Sequence, residues 1–331
     1  LAPPGQRHYS VALEHDSNWA DWLIPLTVFI GPKTVDGQGL VASGSNHGNE
    51  YEGPVALKHL MHEIDMDDVV GRLIFIPVLN PAAFHAGRRE STLADGVNLN
   101  RAFVDGAGEH PALSGITHRI AKFYRDYIWP RVHIVIDLHS GGEATQLIQC
   151  ASFHAWDDPA RQKVVHDTAR WFGTPFILTY QNETPGLLPS EAERLGKITI
   201  GTELGYGESV TPSGVRYARQ GVLAAAINHG LLKGSIEKIG AHADGTQKRV
   251  TMIDRACFMP APFRGHFEPL YDVGVMVSKG QLLGYQHDFY HIDQPALELR
   301  APLDGCLIAQ GLKAPTPQGH QVIIVGQVVE D

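Results

Sequence analysis

Short apolar runs recur through the first two thirds of the chain and predict its strands. The runs at residues 72–78 and 132–138 are nearly continuous, as in strands that are buried on both faces of a parallel or mixed sheet. Residues 23–31 and 39–44 predict two further strands joined by a tight turn, and residues 197–200 predict a shorter one.

Helical segments separate several of these strands. One begins near Pro54, because proline is favoured in the first turn of a helix, and others cover residues 118–129 and 221–232. Strands that alternate with helices form a sheet with helices packed on its faces. We therefore predict an α/β fold in which helices flank the sheet.

The pattern changes in the last third of the chain. Residues 235–250 are polar and predict a linker, and short strands separated by tight turns follow. We therefore predict a catalytic domain at residues 1–245 and a smaller all-β domain at residues 246–331.

Glycine-rich phrases in the C-terminal part, at residues 274–284 and 301–305, resemble a lipoyl- or biotinyl-type β-sandwich. Lys279 falls in the wrong turn for a carrier lysine, so we expect no covalently attached cofactor. A second loop, at residues 181–190, is rich in Pro and Gly. It could be a lid that contacts substrate or a plain connection.

Two histidines and a glutamate lie at predicted strand ends. Residues 43–50 read SGSNHGNE after a strand, so a tight turn can aim His47 and Glu50 at one point. His139 ends another strand, and Asp137 faces the same side and can orient its imidazole. Two imidazoles and a carboxylate can form the protein ligands of a catalytic zinc ion. An ordinary polar loop explains the first pair equally well, but a third candidate at another strand end favours a metal site.

Two arginine sites follow the strand at residues 72–78. One contains Arg88 and Arg89, and the other contains Asn100 and Arg101, in loops rich in Gly, Asn and Asp. Open α/β sheets bind ligands at the carboxyl ends of their strands, and guanidinium groups bind carboxylates in a bidentate manner. Surface arginines are common, but apolar neighbours frame Asn100 and Arg101 as a pair turned inward.

In combination, these motifs resemble the succinylglutamate desuccinylase/aspartoacylase family of the zinc carboxypeptidase superfamily. In chain order they are H-x-x-E, N-P-x-A, an arginine, x-L-N-R, D-L-H and G-T-E-L-G, within about residues 40–210. The resemblance implies a zinc-carboxypeptidase-like mixed sheet. It also implies a C-terminal β domain that leans over the active site and narrows its mouth.

The resemblance implies one zinc ion per chain with three protein ligands, His47, Glu50 and His139. One position departs from the family, because many members have Asp where this chain has Asn98. That aspartate commonly supports a zinc-bound histidine, and asparagine can still accept a hydrogen bond but carries no charge. The difference at Asn98 therefore affects the residue that supports a metal ligand, and the three predicted ligands are unchanged.

The resemblance also implies that Arg89 polarises the scissile carbonyl, that Asn100 and Arg101 hold the substrate carboxylate, and that Glu203 is the catalytic base. Glu203 follows the strand predicted at residues 197–200, so it shares the carboxyl edge of the sheet. The alternative bases are four other glutamates, Glu183, Glu191, Glu193 and Glu208. Glu191 and Glu193 lie in a predicted helical turn, where we expect them to be solvated.

Charge and composition exclude several classes of function. The chain has 27 basic and 36 acidic residues, a net charge of −9, which argues against binding to nucleic acids or anionic membranes. No apolar run approaches the roughly 20 residues of a membrane span. The N-terminal residues lack a signal-peptide pattern, and three widely spaced cysteines do not form a disulfide framework. We expect a cytoplasmic protein.

These observations predict a zinc-dependent amidohydrolase that acts on a small N-acyl amino acid. Within the family, the chain most resembles the N-α-acetyl-diaminobutyrate deacetylases of ectoine breakdown. Two alternatives stay open: a metallocarboxypeptidase acting on peptides, and a non-catalytic binding protein with a vestigial zinc site. The sequence does not fix the oligomeric state, and a homo-oligomer is compatible with it.

Overall fold

A computed structural model describes residues 2–14, 21–181 and 184–329. The strands up to residue 203 are β1 (Gly5–Glu14), β2 (Asp21–Ile30), β3 (Leu40–Gly44), β4 (Arg72–Ile76), β5 (Ile134–Leu138), β6 (Thr145–Leu147), β7 (Cys150–His154), β8 (Phe176–Tyr180) and β9 (Ile198–Glu203). The strands after it are β10 (Lys248–Met252), β11 (Phe258–Pro260), β12 (Gly265–Pro269), β13 (Met276–Val277), β14 (Leu282–His287), β15 (Leu297–Arg300), β16 (Gly305–Gly311), β17 (Pro315–Thr316) and β18 (Gln321–Val329).

Helices occupy both sides of the sheet that these strands form. The α-helices are α1 (Glu52–Glu63), α2 (Pro81–Ala86), α3 (Ile116–Phe123), α4 (Pro159–Arg170), α5 (Leu188–Arg194), α6 (Pro212–Asn228) and α7 (Gly240–Asp244). Single turns of 3₁₀-helix lie at Met66–Asp68, Leu99–Arg101, Pro111–Leu113, Trp129–Arg131 and Arg255–Cys257, and a π-helical turn lies at Tyr124–Ile128. No helix in the described part of the chain is both long and apolar enough to cross a membrane.

The main sheet is mixed, and its order is β1-β2-β4-β3-β5-β9-β7-β8-β10-β18-β16-β13. Strand β3 is parallel to both β4 and β5, and β5 is parallel to β9. The carboxyl ends of these strands therefore meet at one edge, where open α/β sheets bind their ligands. The prediction of an α/β mixed sheet flanked by helices is confirmed.

The core covers both faces of the central strands, as their continuous apolar sequences require. On β3, Leu40 and Ala42 pack in one cluster with Leu57 of α1. Val41, between them, points to the opposite face and packs in a second cluster with Ile120 of α3. Alternation of side chains along a strand thus supplies both layers, and the rigid strand fixes the position of the loop that follows.

Two predicted element bounds are wrong. The helix predicted at residues 221–232 begins earlier, at Pro212, because Thr211 accepts a hydrogen bond from the amide of Gly214 and proline suits the first turn. The segment predicted as a linker, residues 235–250, contains α7 and the start of β10. Strand β10 pairs in parallel with β8, so backbone pairing and not local composition determines its structure.

The C-terminal strands form a second, antiparallel sheet of order β15-β14-β12-β17 with its own hydrophobic cluster around Phe267, Leu283 and Leu299. Strand β18 joins this region to the main sheet, because it pairs with β10, β11 and β16. Strand β6 also pairs with β16. The smaller C-terminal all-β region is confirmed, and a domain boundary at residues 245/246 stays a prediction.

Candidate metal centre and active site

The loop after β3 has a conformation that few sequences allow. Ser45 has a positive φ of 55°, a backbone conformation that is uncommon outside glycine and that clusters at functional sites. A Cβ atom on Gly48 would lie 2.0 Å from the backbone carbonyl carbon of Ala83. This close approach to α2 requires glycine, and it places His47 and Glu50 against the edge of the sheet.

We predict that Gly48→Ala lowers both stability and metal retention. The added methyl cannot fit without moving α2 or the loop, a type of overpacking that typically costs about 1–3 kcal/mol. Thermal unfolding and metal analysis measure the two effects. Gly311→Ala is the matched control, because a Cβ there meets only ordinary contacts of 3.5 Å or more. Equal stability and equal metal content in the two variants would contradict this account of the loop.

His47, Glu50 and His139 converge at this edge, and their donor atoms all lie within 4.8 Å of one another. Both imidazoles turn Nδ1 toward the Glu50 carboxylate, at 2.9 Å from Oε1 for His47 and 2.9 Å from Oε2 for His139. All three side chains are buried. The structure thus brings together the three predicted ligands in a group that can hold a metal ion.

The other nitrogen of each imidazole also has a partner. Nε2 of His47 lies 3.3 Å from Oδ1 of Asn98, and Nε2 of His139 lies 2.8 Å from Oδ2 of Asp137. Asn46 donates to the same Asp137 oxygen at 3.2 Å. Such contacts fix the ring orientation of metal-binding histidines. The two supporting positions predicted from the sequence, Asn98 and Asp137, are therefore in contact with the histidines.

The carboxylates and imidazoles of this cluster shift one another's pKa values. Burial opposes ionisation of Glu50, but the two imidazoles hold its pKa well below its usual range. Burial disfavours a charged His139, yet Asp137 and Glu50 raise its pKa well above its usual value. Burial lowers the pKa of His47. The raised pKa favours a proton on His139 in the metal-free protein, and a metal ion that binds this imidazole would displace that proton.

Glu203 is the last residue of β9 and lines the same cavity. Its Oε2 is buried and has no hydrogen-bond partner within the described ranges. Burial raises its pKa to about 8, and the negative charge of Glu50 adds to this rise. A carboxyl group with such a pKa can both accept and donate a proton near neutral pH.

The raised pKa of Glu203 predicts a pH-dependent stability for the metal-free protein. Between its usual value of 4.5 and about 8, the folded state keeps a proton that the unfolded chain has lost. The folded state binds more protons, so its free energy of unfolding falls as pH rises through this window. Glu203→Gln removes this dependence. Relative to wild type, its free energy of unfolding should therefore rise from pH 5 to pH 8, by at most about 1.4 kcal/mol per pH unit. Urea unfolding with a chelator measures it, and a pH-independent difference would contradict the assignment.

The two adjacent arginines have different surroundings. Nη1 of Arg89 lies 3.4 Å from Oε1 of Glu50, and Arg89 lines the cavity. Arg88 is more exposed and lies 3.7 Å from Glu143. The structure therefore places Arg89, and not Arg88, beside the candidate metal ligands.

Asn100 and Arg101 lie in the cavity wall, on the 3₁₀ turn that follows Asn98. Oδ1 of Asn100 accepts hydrogen bonds from Asn46 Nδ2 and from the amide of Leu188, at 2.9 and 3.1 Å. Its Nδ2 lies 3.3 Å from His139, and only this end of the amide can donate to a ligand. The guanidinium of Arg101 donates to the Asn100 carbonyl at 2.5 Å, a bond that holds its stem beside the cavity.

Of the four alternative bases, Glu191 and Glu208 are not among the described residues that line the cavity. Glu183 lies outside the described residues. Glu191 pairs with Arg194 at 2.8 Å on the surface of α5. Glu208 is exposed and accepts a hydrogen bond from Asn49 at 3.0 Å.

The expectation that Glu193 is solvated is wrong. Although it lies in the predicted helical turn, its side chain is only 3% exposed. Nδ1 of His154 lies 2.6 Å from its Oε2, and both residues line the cavity. At this position α5 faces the sheet. The helix has only seven residues, too few for the spacing of its apolar residues to show which side is buried.

Sequence reasoning also missed Glu52, which is fully buried at the start of α1. Its carboxylate accepts hydrogen bonds from Ser140 Oγ at 2.7 Å and from the amide and hydroxyl of Thr211 at 3.1 and 3.0 Å. It therefore ties the turn that carries His139 to the start of α6. Acidic residues are common in the first turn of any helix, so no sequence pattern marks this role.

The cavity that contains these groups has a volume of about 640 Å³. Thr184 and Leu187 of the loop before α5 and Pro189 of its first turn line it. Three apolar residues of the last third of the chain also line it, Met252, Phe258 and Ile324. The space is suited in size to a small molecule.

Comparison with known proteins agrees with this geometry. Residues 36–227 match the succinylglutamate desuccinylase/aspartoacylase catalytic domain. The N-α-acetyl-L-2,4-diaminobutyric acid deacetylase of Halomonas elongata is 33% identical over 319 residues, which cover 95% of this chain and 89% of that protein.

Solved structures are similar over nearly the whole chain. The product-bound ectoine utilization protein EutE (DoeB) from Ruegeria pomeroyi has a TM-score of 0.88 at 32% identity, covering 99% of this chain and 97% of that chain. The succinylglutamate desuccinylase/aspartoacylase from Rhodobacter sphaeroides has a TM-score of 0.89 at 27% identity, with coverage of 99% and 97%. The chain therefore belongs to the succinylglutamate desuccinylase/aspartoacylase family of amide-cleaving hydrolases.

Proposed function

We propose that this chain is a zinc-dependent deacylase of small N-acyl amino acids and that N-α-acetyl-2,4-diaminobutyrate is its substrate. The observation that carries the proposal is the convergence of His47, Glu50 and His139 in the cavity that Glu203 also lines, with a Glu203 carboxyl oxygen that has no hydrogen-bond partner among the described residues. The relative from Halomonas elongata, named for deacetylation of that compound, supports the choice of substrate.

Zinc fits the donor set of this site. Two imidazoles and one carboxylate leave a further coordination position open, as in catalytic zinc sites, and contacts to Asn98 and Asp137 orient the rings. When bound, zinc supplies Lewis-acid activation of water and of the amide carbonyl.

The protein groups around the site perform the proton transfer and the charge stabilisation. Glu203 takes a proton from the attacking water and delivers it to the leaving nitrogen, so the amide yields a carboxylate and a free amine. Arg89, positioned beside Glu50, donates to the carbonyl oxygen as negative charge develops there. One such donor typically contributes about 3–4 kcal/mol in the transition state.

The cavity favours an acyl amino acid over a peptide. Met252, Phe258 and Ile324 line it from the last third of the chain, which supports the proposal that the C-terminal region narrows the mouth. A panel of N-acetyl amino acids and of peptides, assayed with zinc-loaded protein, tests this choice. Fast cleavage of long peptides would favour a carboxypeptidase instead, and zinc binding without any hydrolysis would favour a binding protein.

We predict that Arg101→Ala raises KM by roughly 10–100-fold, the effect of one charge-assisted contact, with a smaller change in kcat. The reason is that Arg101 holds a substrate carboxylate that is present in both ground and transition states. Arg101→Lys should not fully restore binding, because an ammonium lacks the planar fork of the guanidinium.

An amidated substrate, which lacks the carboxylate, is the control for Arg101. It should be poor for the wild-type enzyme and little worse for Arg101→Ala. Steady-state kinetics on both substrates measures this coupling. If wild type hydrolyses the amide as well as the acid, Arg101 does not bind the carboxylate.

A further inference from the structure

Two carboxylates from the start of α1 hold one serine. The amide of Ser140 donates to Oε2 of Glu50 at 3.0 Å, and its hydroxyl donates to Oε2 of Glu52 at 2.7 Å. Ser140 directly follows His139, whereas Glu52 is the first residue of α1 and Glu50 lies two residues before it. The two bonds therefore connect the segment after β5 to the loop after β3, and these are the segments that carry the candidate metal ligands.

The surroundings of Glu52 direct one of its oxygens to Ser140. The side chain is fully buried, and Glu52 is not among the described residues that line the cavity. Oε1 accepts from the amide and the hydroxyl of Thr211 at 3.1 and 3.0 Å. Oε2 accepts from the Ser140 hydroxyl. Both oxygens thus have donors, as buried polar atoms require, and the carboxylate is held from two sides.

Two glycines leave the space that this carboxylate occupies. A Cβ atom on Gly205 would lie 1.8 Å from Oε1 of Glu52, and a Cβ atom on Gly214 would lie 2.8 Å from its Cγ. A side chain at Gly205 would therefore displace the glutamate. Gly205 comes two residues after Glu203, so Glu52 packs directly against the segment that follows the candidate base.

The amide of Ser140 differs from the other close partners of Glu50. The imidazoles of His47 and His139 contact the same carboxylate through Nδ1, at 2.9 Å each, and both imidazoles are candidate metal ligands. A backbone N–H can only donate a hydrogen bond, so its contact with Glu50 is compatible with a bound metal ion. The direction of the Glu50 carboxylate then depends on the position of Ser140, which the bond to Glu52 fixes.

We propose that Glu52 and Ser140 form a positioning pair that sets the separation of Glu50 and His139 and thereby the affinity of the chain for zinc. Within the described ranges no hydrogen bond joins Glu52 to a candidate ligand, so it acts through Ser140. This inference rests on the proposed zinc-dependent function and adds the residues that hold its ligands in place.

The test compares zinc dissociation constants, measured by titration against a competing chelator. Ser140→Ala removes the hydroxyl and keeps the amide, and Glu52→Met removes the acceptor and keeps an unbranched side chain. Each variant should bind zinc roughly 10–100-fold more weakly than wild type, the usual effect of removing a contact that orients metal ligands. Glu52→Gln keeps an oxygen and a nitrogen that can bond to the hydroxyl, so its zinc affinity should lie closer to that of wild type.

The double variant distinguishes a positioning pair from two independent effects. If Glu52 acts through Ser140, Glu52→Met should weaken zinc binding little further in the Ser140→Ala background, because the bond that transmits its effect is already broken. Two independent effects would instead multiply, since changes at sites without shared partners add in free energy.

Two variants serve as matched controls. Ser152→Ala removes the hydroxyl of another buried serine that lines the cavity. Val222→Ala truncates a fully buried residue of α6 and should lower the unfolding temperature through loss of packing. Both should bind zinc as tightly as wild type, which separates the positioning role from a general loss of stability.

The outcomes separate this inference from the function on which it rests. Wild-type zinc affinity in Ser140→Ala and Glu52→Met, or losses that multiply in the double variant, would overturn the inference and leave the deacylase function standing. If Glu52→Met does not fold, Ser140→Ala decides alone. If the variants lose affinity as expected but zinc-loaded wild type hydrolyses no acyl amino acid, the proposed function fails and the positioning role stands. A wild type that binds no zinc overturns both.

Discussion

Glu203→Gln should lower kcat by about 10²–10⁴-fold, the range of general acid–base catalysis, while zinc content stays at the wild-type level. Glutamine has nearly the same shape but cannot take a proton from water. Glu203 is not one of the three proposed metal ligands, and its Oε2 has no hydrogen-bond partner among the described residues. The substitution therefore removes proton transfer and leaves the cavity intact.

KM for the substrate should change little in this variant, since Glu203 acts on the water and the leaving nitrogen. Glu208→Gln is the control, because Glu208 is exposed and does not line the cavity, although it accepts a hydrogen bond from Asn49, which does. It should keep near-normal turnover. Near-normal kcat for Glu203→Gln would remove Glu203 as the base, and Glu183 would be the next candidate.

His139→Ala should abolish both metal retention and activity. The substitution removes one of three ligands and leaves Glu50 and Asp137 without the imidazole that each now contacts, at 2.9 and 2.8 Å. Each of these two buried carboxylates then loses one partner, which destabilises the arrangement of side chains that would hold a metal ion. Metal analysis after dialysis and a deacylation assay measure the two effects.

His242→Ala is the matched control, because His242 is 7% exposed and packs against Trp171, away from the cavity. It should keep zinc at the wild-type level even if its stability falls. Wild-type zinc stoichiometry in His139→Ala would show that His139 is not a ligand.

The strands that position the site could be predicted because their sequences have one dominant signal. A strand buried on both faces must be apolar throughout, and polar residues after such strands stand out, as His139 does after β5. The family and the α/β fold with its C-terminal β region are confirmed. The structure also brings His47 and Glu50 to His139 with the spacing that a metal site requires.

Other features depend on contacts that local sequence does not encode. The burial of Glu193 follows from the packing of α5 against β9 and β5. Glu52 is buried because Ser140 and Thr211, both distant in sequence, donate to it. Strand β10 follows a polar segment and is a strand because β8 and β18 pair with it.

Local sequence also cannot show which of the adjacent residues Arg88 and Arg89 faces the site. Both residues follow α2 in a turn, and adjacent positions in a loop carry no periodicity that distinguishes them. Only the path of the chain places Arg89 near Glu50 and Arg88 near Glu143.

One measurement tests the central claim most directly: titration of metal-free protein with zinc while hydrolysis of N-α-acetyl-2,4-diaminobutyrate is followed. Acetate and 2,4-diaminobutyrate should appear in equal amounts, and the rate should rise until one zinc ion is bound per chain and then remain constant. No hydrolysis at one zinc ion per chain, or full hydrolysis in the presence of a strong chelator, would contradict a zinc-dependent deacylase.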